Sequence, residues 1–191
     1  YEGQVVSNCH KIPANLFVRR RLTVDEIVSI WQPVLASMPD KHWIFTVSPI
    51  RHIKDGLHDN QLSKAVLLQS IEQLSQLSIA HCSYFPSYEI MLDELRDYRF
   101  YADDMLHPSS MAVEYIWECF CQTYFSKDTL QAMKEWNEIQ KALQHKPFRP
   151  QSEGYRQFLS QIMLRIERMK QKFPYIDAQN ELELCHTLLK I

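Results

Sequence analysis

Trp43-Ile44-Phe45-Thr46-Val47-Ser48-Pro49-Ile50-Arg51-His52 decides the fold. Five residues, apolar, aromatic and β-branched, run without a charge into a serine and a proline. A short continuous apolar run bounded by a breaker is the pattern of a strand buried on both faces, as parallel strands are. In open parallel sheets, ligands bind outside the carboxyl ends of the strands. The loop that follows, 48–61, is therefore a candidate site, and Arg51, His52, His58 and Asn60 lie in it. Arg51 and His52 read either as substrate contacts or as hydrogen-bonding loop residues.

Working outward, the flanking segments alternate. Upstream, Thr23 with Glu26 makes a capping box, and Ile27, Ile30, Trp31, Val34 and Leu35 follow at helical spacing. Pro33 falls inside that pattern and is expected to kink it. Downstream, Ser63 is read as the cap of a helix carrying Ala65, Leu67, Leu68, Ile71, Leu74 and Leu77. Residues 79–85 read as a second strand closed by Pro86, and 87–95 as another helix. A further strand is expected over Gly3–Ser7, ahead of the break at Ile12-Pro13. Strand and helix in alternation argue an α/β fold with a parallel sheet.

The chemistry is expected in Arg96-Asp97-Tyr98-Arg99-Phe100-Tyr101-Ala102-Asp103-Asp104-Met105-Leu106-His107-Pro108-Ser109-Ser110. A carboxylate three residues before a histidine can fold back and accept the imidazole Nδ1–H. That fixes the tautomer and leaves Nε2 free to take a proton. Pro108 pushes His107 out of the helical region, and Ser109 or Ser110 can cap the next helix. Asp103 is an alternative orienting group at i,i+4. A hydrogen-bonded structural histidine is the competing reading. Arg96, Asp97 and Arg99 are expected to form internal ion pairs. The helix after the turn, 111–125, is apolar nearly all round and is expected to be deeply buried.

From Lys127 onward three amphipathic helices follow, over about 128–145, 152–173 and 181–189, broken at Lys146-Pro147-Phe148-Arg149-Pro150. This divides the chain into 1–126, a sheet-bearing part, and 127–191, a helical C-terminal extension. Composition bounds the rest. The chain has 191 residues, 46% hydrophobic and 23% charged, enough for a sizeable core. Only three glycines are present, and there is no Gly-rich phosphate loop. A net charge of −2 gives no footprint for nucleic acid. No apolar run is long enough to span a membrane. Arg19-Arg20-Arg21 reads as a solvated face or an anion contact.

The five cysteines, Cys9, Cys82, Cys119, Cys121 and Cys185, are odd in number. They are expected to be reduced, which points to the cytoplasm. Cys119 and Cys121 lack zinc-knuckle spacing. A Cys9–His10 nucleophile pair is disfavoured, because adjacent side chains point apart. A metal set of His52, Asp103, Asp104 and His107 is set aside because Arg51, Arg96 and Arg99 crowd it. Neither metal nor cofactor is expected.

Three stretches carry a resemblance. They are Val5-Val6-Ser7-Asn8-Cys9-His10-Lys11-Ile12-Pro13; Phe45 to Gly56 with Asn60-Gln61-Leu62-Ser63-Lys64; and Phe85-Pro86-Ser87-Tyr88-Glu89 with Asp93 through Ser109. Together they resemble the GSCFA domain family, a bacterial branch of the SGNH/GDSL hydrolase superfamily. The resemblance implies a three-layer α/β/α flavodoxin-like fold whose parallel sheet is incomplete at the N-terminus of this chain. It implies a serine esterase, acyl hydrolase or acyltransferase in which Asp104 and His107 supply two triad members. The nucleophilic serine belongs to the Gly-Ser-Cys-Phe-Ala signature, which does not occur in these residues. The chain opens at Tyr1 without an initiator Met, so the serine and the first strand are expected upstream. The resemblance also implies an oxyanion-hole asparagine, for which Asn8 is the candidate and Asn60 the alternative. The expected partner is a small-molecule or glycan ester, with neither nucleic acid nor membrane; oligomeric state stays open. The alternative is a non-catalytic binding or scaffold domain, since fold does not fix function.

Overall fold

A computed structural model describes residues 1–6 and 11–190. The chain forms two compact units, Tyr1–Glu118 and Cys119–Ile191. The first is α/β and the second is helical.

In the first unit, α1 spans Val24–Ser37. Thr23 Oγ1 accepts from Glu26 N at 3.2 Å, and Glu26 Oε2 accepts from Thr23 N at 2.8 Å. The capping box read from the sequence is therefore closed in both directions. The helix runs through Pro33 to Ser37. Pro33 lies on the exposed side, where the missing N–H is least costly. The inward face carries Leu35, fully buried, and Trp31, whose ring meets the Trp43 and Phe45 rings edge-on at 6.0 and 5.3 Å.

The Arg20 guanidinium, and after it the Thr23 backbone N–H, hold the Glu26 carboxyl down at about 2. Its contribution to the helix start is complete above the ordinary glutamate range and is lost as pH falls toward 2. Thr23→Ala is expected to cost about 1 kcal/mol in urea denaturation, as N-cap removal does elsewhere. Thr23→Asn should restore most of that loss.

Strand β1, His42–Thr46, pairs in parallel with β2, His81–Phe85, in the register His42↔His81 through Thr46↔Phe85. Between them runs α2, Leu57–Gln76. This is a strand–helix–strand crossover, the unit that parallel pairing requires. Val47 and Phe85 are buried just where the strands end.

Helix α2 begins six residues before Ser63, the expected cap. Its N-cap is Gly56, at φ +89°, a conformation that glycine adopts without steric cost. The start signal is thus a backbone turn rather than a hydroxyl. The strand expected over Gly3–Ser7 is also absent from its described part. Gln4 N bonds Tyr1 O at 2.8 Å to close a turn, and Val5 is fully exposed. An apolar run this short, with no partner strand among the described residues, does not hold an extended ladder.

After β2, a single helical turn α3, Ser87–Glu89, widens into a π-helical segment, Ile90–Leu95. It closes when Arg96 N bonds Met91 O at 3.3 Å, with Arg96 left-handed at φ +45°. Helix α4 spans Ser110–Tyr124. The expectation of deep burial is corrected here. Ala112 and Cys121 are buried, but Met111, Val113 and Trp117 are 60%, 55% and 47% exposed. An apolar composition sets what a helix can bury, not how much surface the described residues offer to cover it.

The second unit holds α5 (Lys127–Leu143), α6 (Glu153–Lys172) and α7 (Gln179–Leu189). Ser126 and Ser152 cap α5 and α6. Leu159, Ile162, Ile166 and Met169 of α6 form its core with Ile139 and Cys185. Gln140 Nε2 donates to Glu181 Oε1 at 2.7 Å, tying α5 to α7. Among the described residues, Cys82, Cys119, Cys121 and Cys185 stand outside any disulfide. In the same set, no helix is long and apolar enough to cross a membrane.

Candidate active site

The Asp104–His107 pair sits in a tight turn between Tyr101 and Pro108, which bridge each other in antiparallel fashion. Ala102 N donates to His107 O at 2.8 Å, and Ser109 N donates to Phe100 O at 2.7 Å. Met105, at φ +58°, reverses the chain at the tip and bonds back to Ala102 O at 2.9 Å. A left-handed methionine costs energy, and the surrounding hydrogen bonds hold it there. Ser109 Oγ accepts from Ala112 N at 3.3 Å, so α4 starts immediately behind the histidine.

Inside this turn the Asp104 carboxylate is fully used. Oδ1 accepts from Leu106 N at 2.9 Å and from His107 N at 3.0 Å. Oδ2 faces the His107 Nδ1 at 2.5 Å. The two backbone N–H groups, His107 first, and then the imidazole hold the Asp104 carboxyl down at about 2. It is an anion at any pH where an imidazole can act as a base. With Nδ1–H on the carboxylate, Nε2 is the basic nitrogen. The His107 side chain is 57% exposed, and among the described residues nothing bonds its Nε2.

The turn is anchored to the end of β1. Arg51 N donates to Leu106 O at 3.1 Å, and the Arg51 guanidinium lies over the Tyr101 ring, 4.2 Å from its centre. Ser87, at the end of β2, donates to Val47 O at 2.9 Å and contacts Thr46 Oγ1 at 2.6 Å. The pair therefore stands beyond the carboxyl ends of both parallel strands, where such sheets place their ligands.

The other candidates divide. Asn60 is buried, and its Oδ1 accepts from His52 N at 2.9 Å, so that oxygen braces the loop after β1. The His52 Nδ1 lies 3.5 Å from Asp55 Oδ2. Arg19 also holds Asp55, through two hydrogen bonds of 2.9 and 2.7 Å, and lowers its pKa. Asn8, Cys9 and His10 lie outside the described residues.

The expected ion pairs around Arg96 are half right. Arg99 pairs with Asp97 at 2.9 Å, but Arg96 has no carboxylate partner among the described residues. Its left-handed backbone comes from the π-helical ending, which local spacing does not reveal. Sequence reading also missed Tyr101 and Ser87. The signal for Ser87 was available: a hydroxyl directly after a strand-ending proline.

The fold and site together define an α/β protein with a carboxylate–histidine pair at the carboxyl edge of a parallel sheet. The GSCFA family model matches residues 1–120, and the model of the GSCFA domain protein C-terminal domain matches 136–191. The chain belongs to the GSCFA family. No curated protein and no solved structure matches it.

Proposed function

We propose that Asp104 and His107 are the acid–base half of a serine-type acyl hydrolase or acyltransferase of the SGNH kind, built on a three-layer α/β/α core and working in the cytoplasm. The observation that carries the reading is the 2.5 Å contact between Asp104 and His107 Nδ1. Behind it, Asp104 is locked by two backbone N–H groups, and among the described residues nothing bonds the Nε2 in front.

The mechanism follows from those atoms. A serine hydroxyl gives its proton to His107 Nε2 as its oxygen attacks the acyl carbonyl. His107 returns that proton to the leaving alcohol, forming an acyl-enzyme. Water or an acceptor alcohol then repeats the cycle on the acyl group. Asp104 stays ionised throughout and stabilises the imidazolium. Base catalysis of this kind contributes roughly 10²–10⁴-fold. By family resemblance the serine belongs to a Gly-Ser-Cys-Phe-Ala segment upstream of Tyr1, and Asn8 is the candidate oxyanion donor.

A fluorophosphonate probe applied to the complete polypeptide tests this. Labelling of one serine, in that segment, is the expected result. A complete polypeptide that resists the probe and turns over no short acyl ester would sink the hydrolase and leave a ligand-binding domain.

A further inference from the structure

The unit Tyr1–Glu118 contains six arginines. Four are neutralised: Arg19 by Asp55, Arg20 by Glu26, Arg21 by Asp59 and Arg99 by Asp97. The two without a carboxylate partner among the described residues, Arg51 and Arg96, line one cavity of about 170 Å³, together with Met91, Asp97, Tyr98 and Tyr101. The one carboxylate in that wall, Asp97, accepts from both the Arg99 side chain, at 2.9 Å, and the Arg99 backbone N–H, at 3.0 Å.

Arg51 is partly buried and stacked on Tyr101. A guanidinium that spends its face on a ring keeps its N–H donors in the plane, ready for a forked acceptor. Arg96 is delivered to the cavity by the π-helical ending and its left-handed backbone, a costly local geometry of the kind found at functional sites. The volume suits about five waters, or a headgroup of a few heavy atoms.

We propose that this cavity is an oxyanion subsite, and that the ester substrate carries a carboxylate or phosphate group that Arg51 and Arg96 bind. Its walls are continuous with the catalytic turn. Arg51 bonds Leu106 O through its backbone, and Tyr101 bridges Pro108, on either side of His107. Only the identity of the anion's carrier rests on the acyl-ester reading; the anion site itself does not.

Two measurements on the complete polypeptide test it. The first compares kcat/KM for short acyl esters whose alcohol ends in a carboxylate, a phosphate or a neutral amide. The anionic esters should be preferred, and the better of the two names the group. Arg96→Asn, which tolerates the left-handed backbone, should cut that preference roughly 10- to 100-fold, the worth of a charge-assisted hydrogen bond. A variant that merely folded less well would lose all three substrates in proportion. Arg51→Lys, which keeps the charge but loses the fork, should cut the preference as well. Absence of an anionic preference in the wild type, or its survival in both variants, overturns the proposal.

The second is a titration with malonate and with inorganic phosphate, read by the arginine side-chain NH signals, and it needs no turnover. Binding that weakens in Arg96→Asn supports the subsite even if no ester is hydrolysed. Absence of binding of either anion at millimolar concentration overturns it.

Discussion

His107→Ala in the complete polypeptide is expected to lower kcat/KM for a short acyl ester by roughly 10²–10⁴-fold, the contribution of a positioned general base. The substitution removes one side-chain bond, Nδ1 to Asp104 Oδ2, from a largely exposed ring, while the backbone bonds of the residue remain. Its N–H stays on Asp104 Oδ1, and its carbonyl still accepts from Ala102 N. Melting behaviour should therefore be close to wild type, which separates a chemical loss from a folding loss. Added imidazole should recover part of the rate, since the vacated space opens to solvent. A variant that keeps near-normal turnover would remove His107 from the mechanism.

Asp104→Asn should be nearly as damaging and more diagnostic. The amide oxygen can still accept from Leu106 and His107 N–H, so the turn persists. The amide NH₂ then occupies the place of Oδ2 and presents a donor to Nδ1 where an acceptor was. The imidazole answers by moving its proton to Nε2, the nitrogen that must be free. A drop in kcat of roughly 10²–10⁴-fold follows from the wrong tautomer alone, with KM little changed. The pH dependence carries a second signature. Because Asp104 titrates near 2, its support of the turn is whole above the ordinary aspartate range and is lost only as pH falls toward 2. Any loss of wild-type activity between pH 5 and 8 therefore originates elsewhere than Asp104. A wild-type profile with a step at the ordinary aspartate pKa, absent from Asp104→Asn, would contradict the geometry.

What was legible in the sequence was local. The Thr23–Glu26 box and the Asp104–His107 pair are both three-residue relationships, which the chain can satisfy within a turn, so spacing alone reveals them. The parallel pair was legible because Trp43–Val47 has no polar residue before Thr46 and ends at a proline. The link between Arg51 and Leu106 was not, because a backbone N–H on a carbonyl 55 residues away leaves no mark on either side chain. The π-helical ending at Leu95 hid for a related reason. Its residues are ordinary helix formers, and only the bond to Met91 shows the extra residue in the turn. The burial of α4 was misjudged because apolar content was read as contact. Gly56 was passed over because the helix start was sought in hydroxyls.

The antiparallel bridge between Tyr101 and Pro108 encloses the whole acid–base pair in eight consecutive residues. Carboxylate, imidazole and the donors that orient them come as one cassette, closed at its base and, among the described residues, tied to the segment after β1 through Arg51, by its backbone N–H on Leu106 O and its guanidinium over Tyr101. Such a cassette separates two evolutionary problems. The loops around the turn can lengthen, shorten or change charge while the geometry of the Asp104–His107 pair is inherited intact. For a designer the same closure makes the segment transplantable: an acceptor scaffold needs two antiparallel ends at the spacing of one bridge, and the orientation of the base travels with the graft.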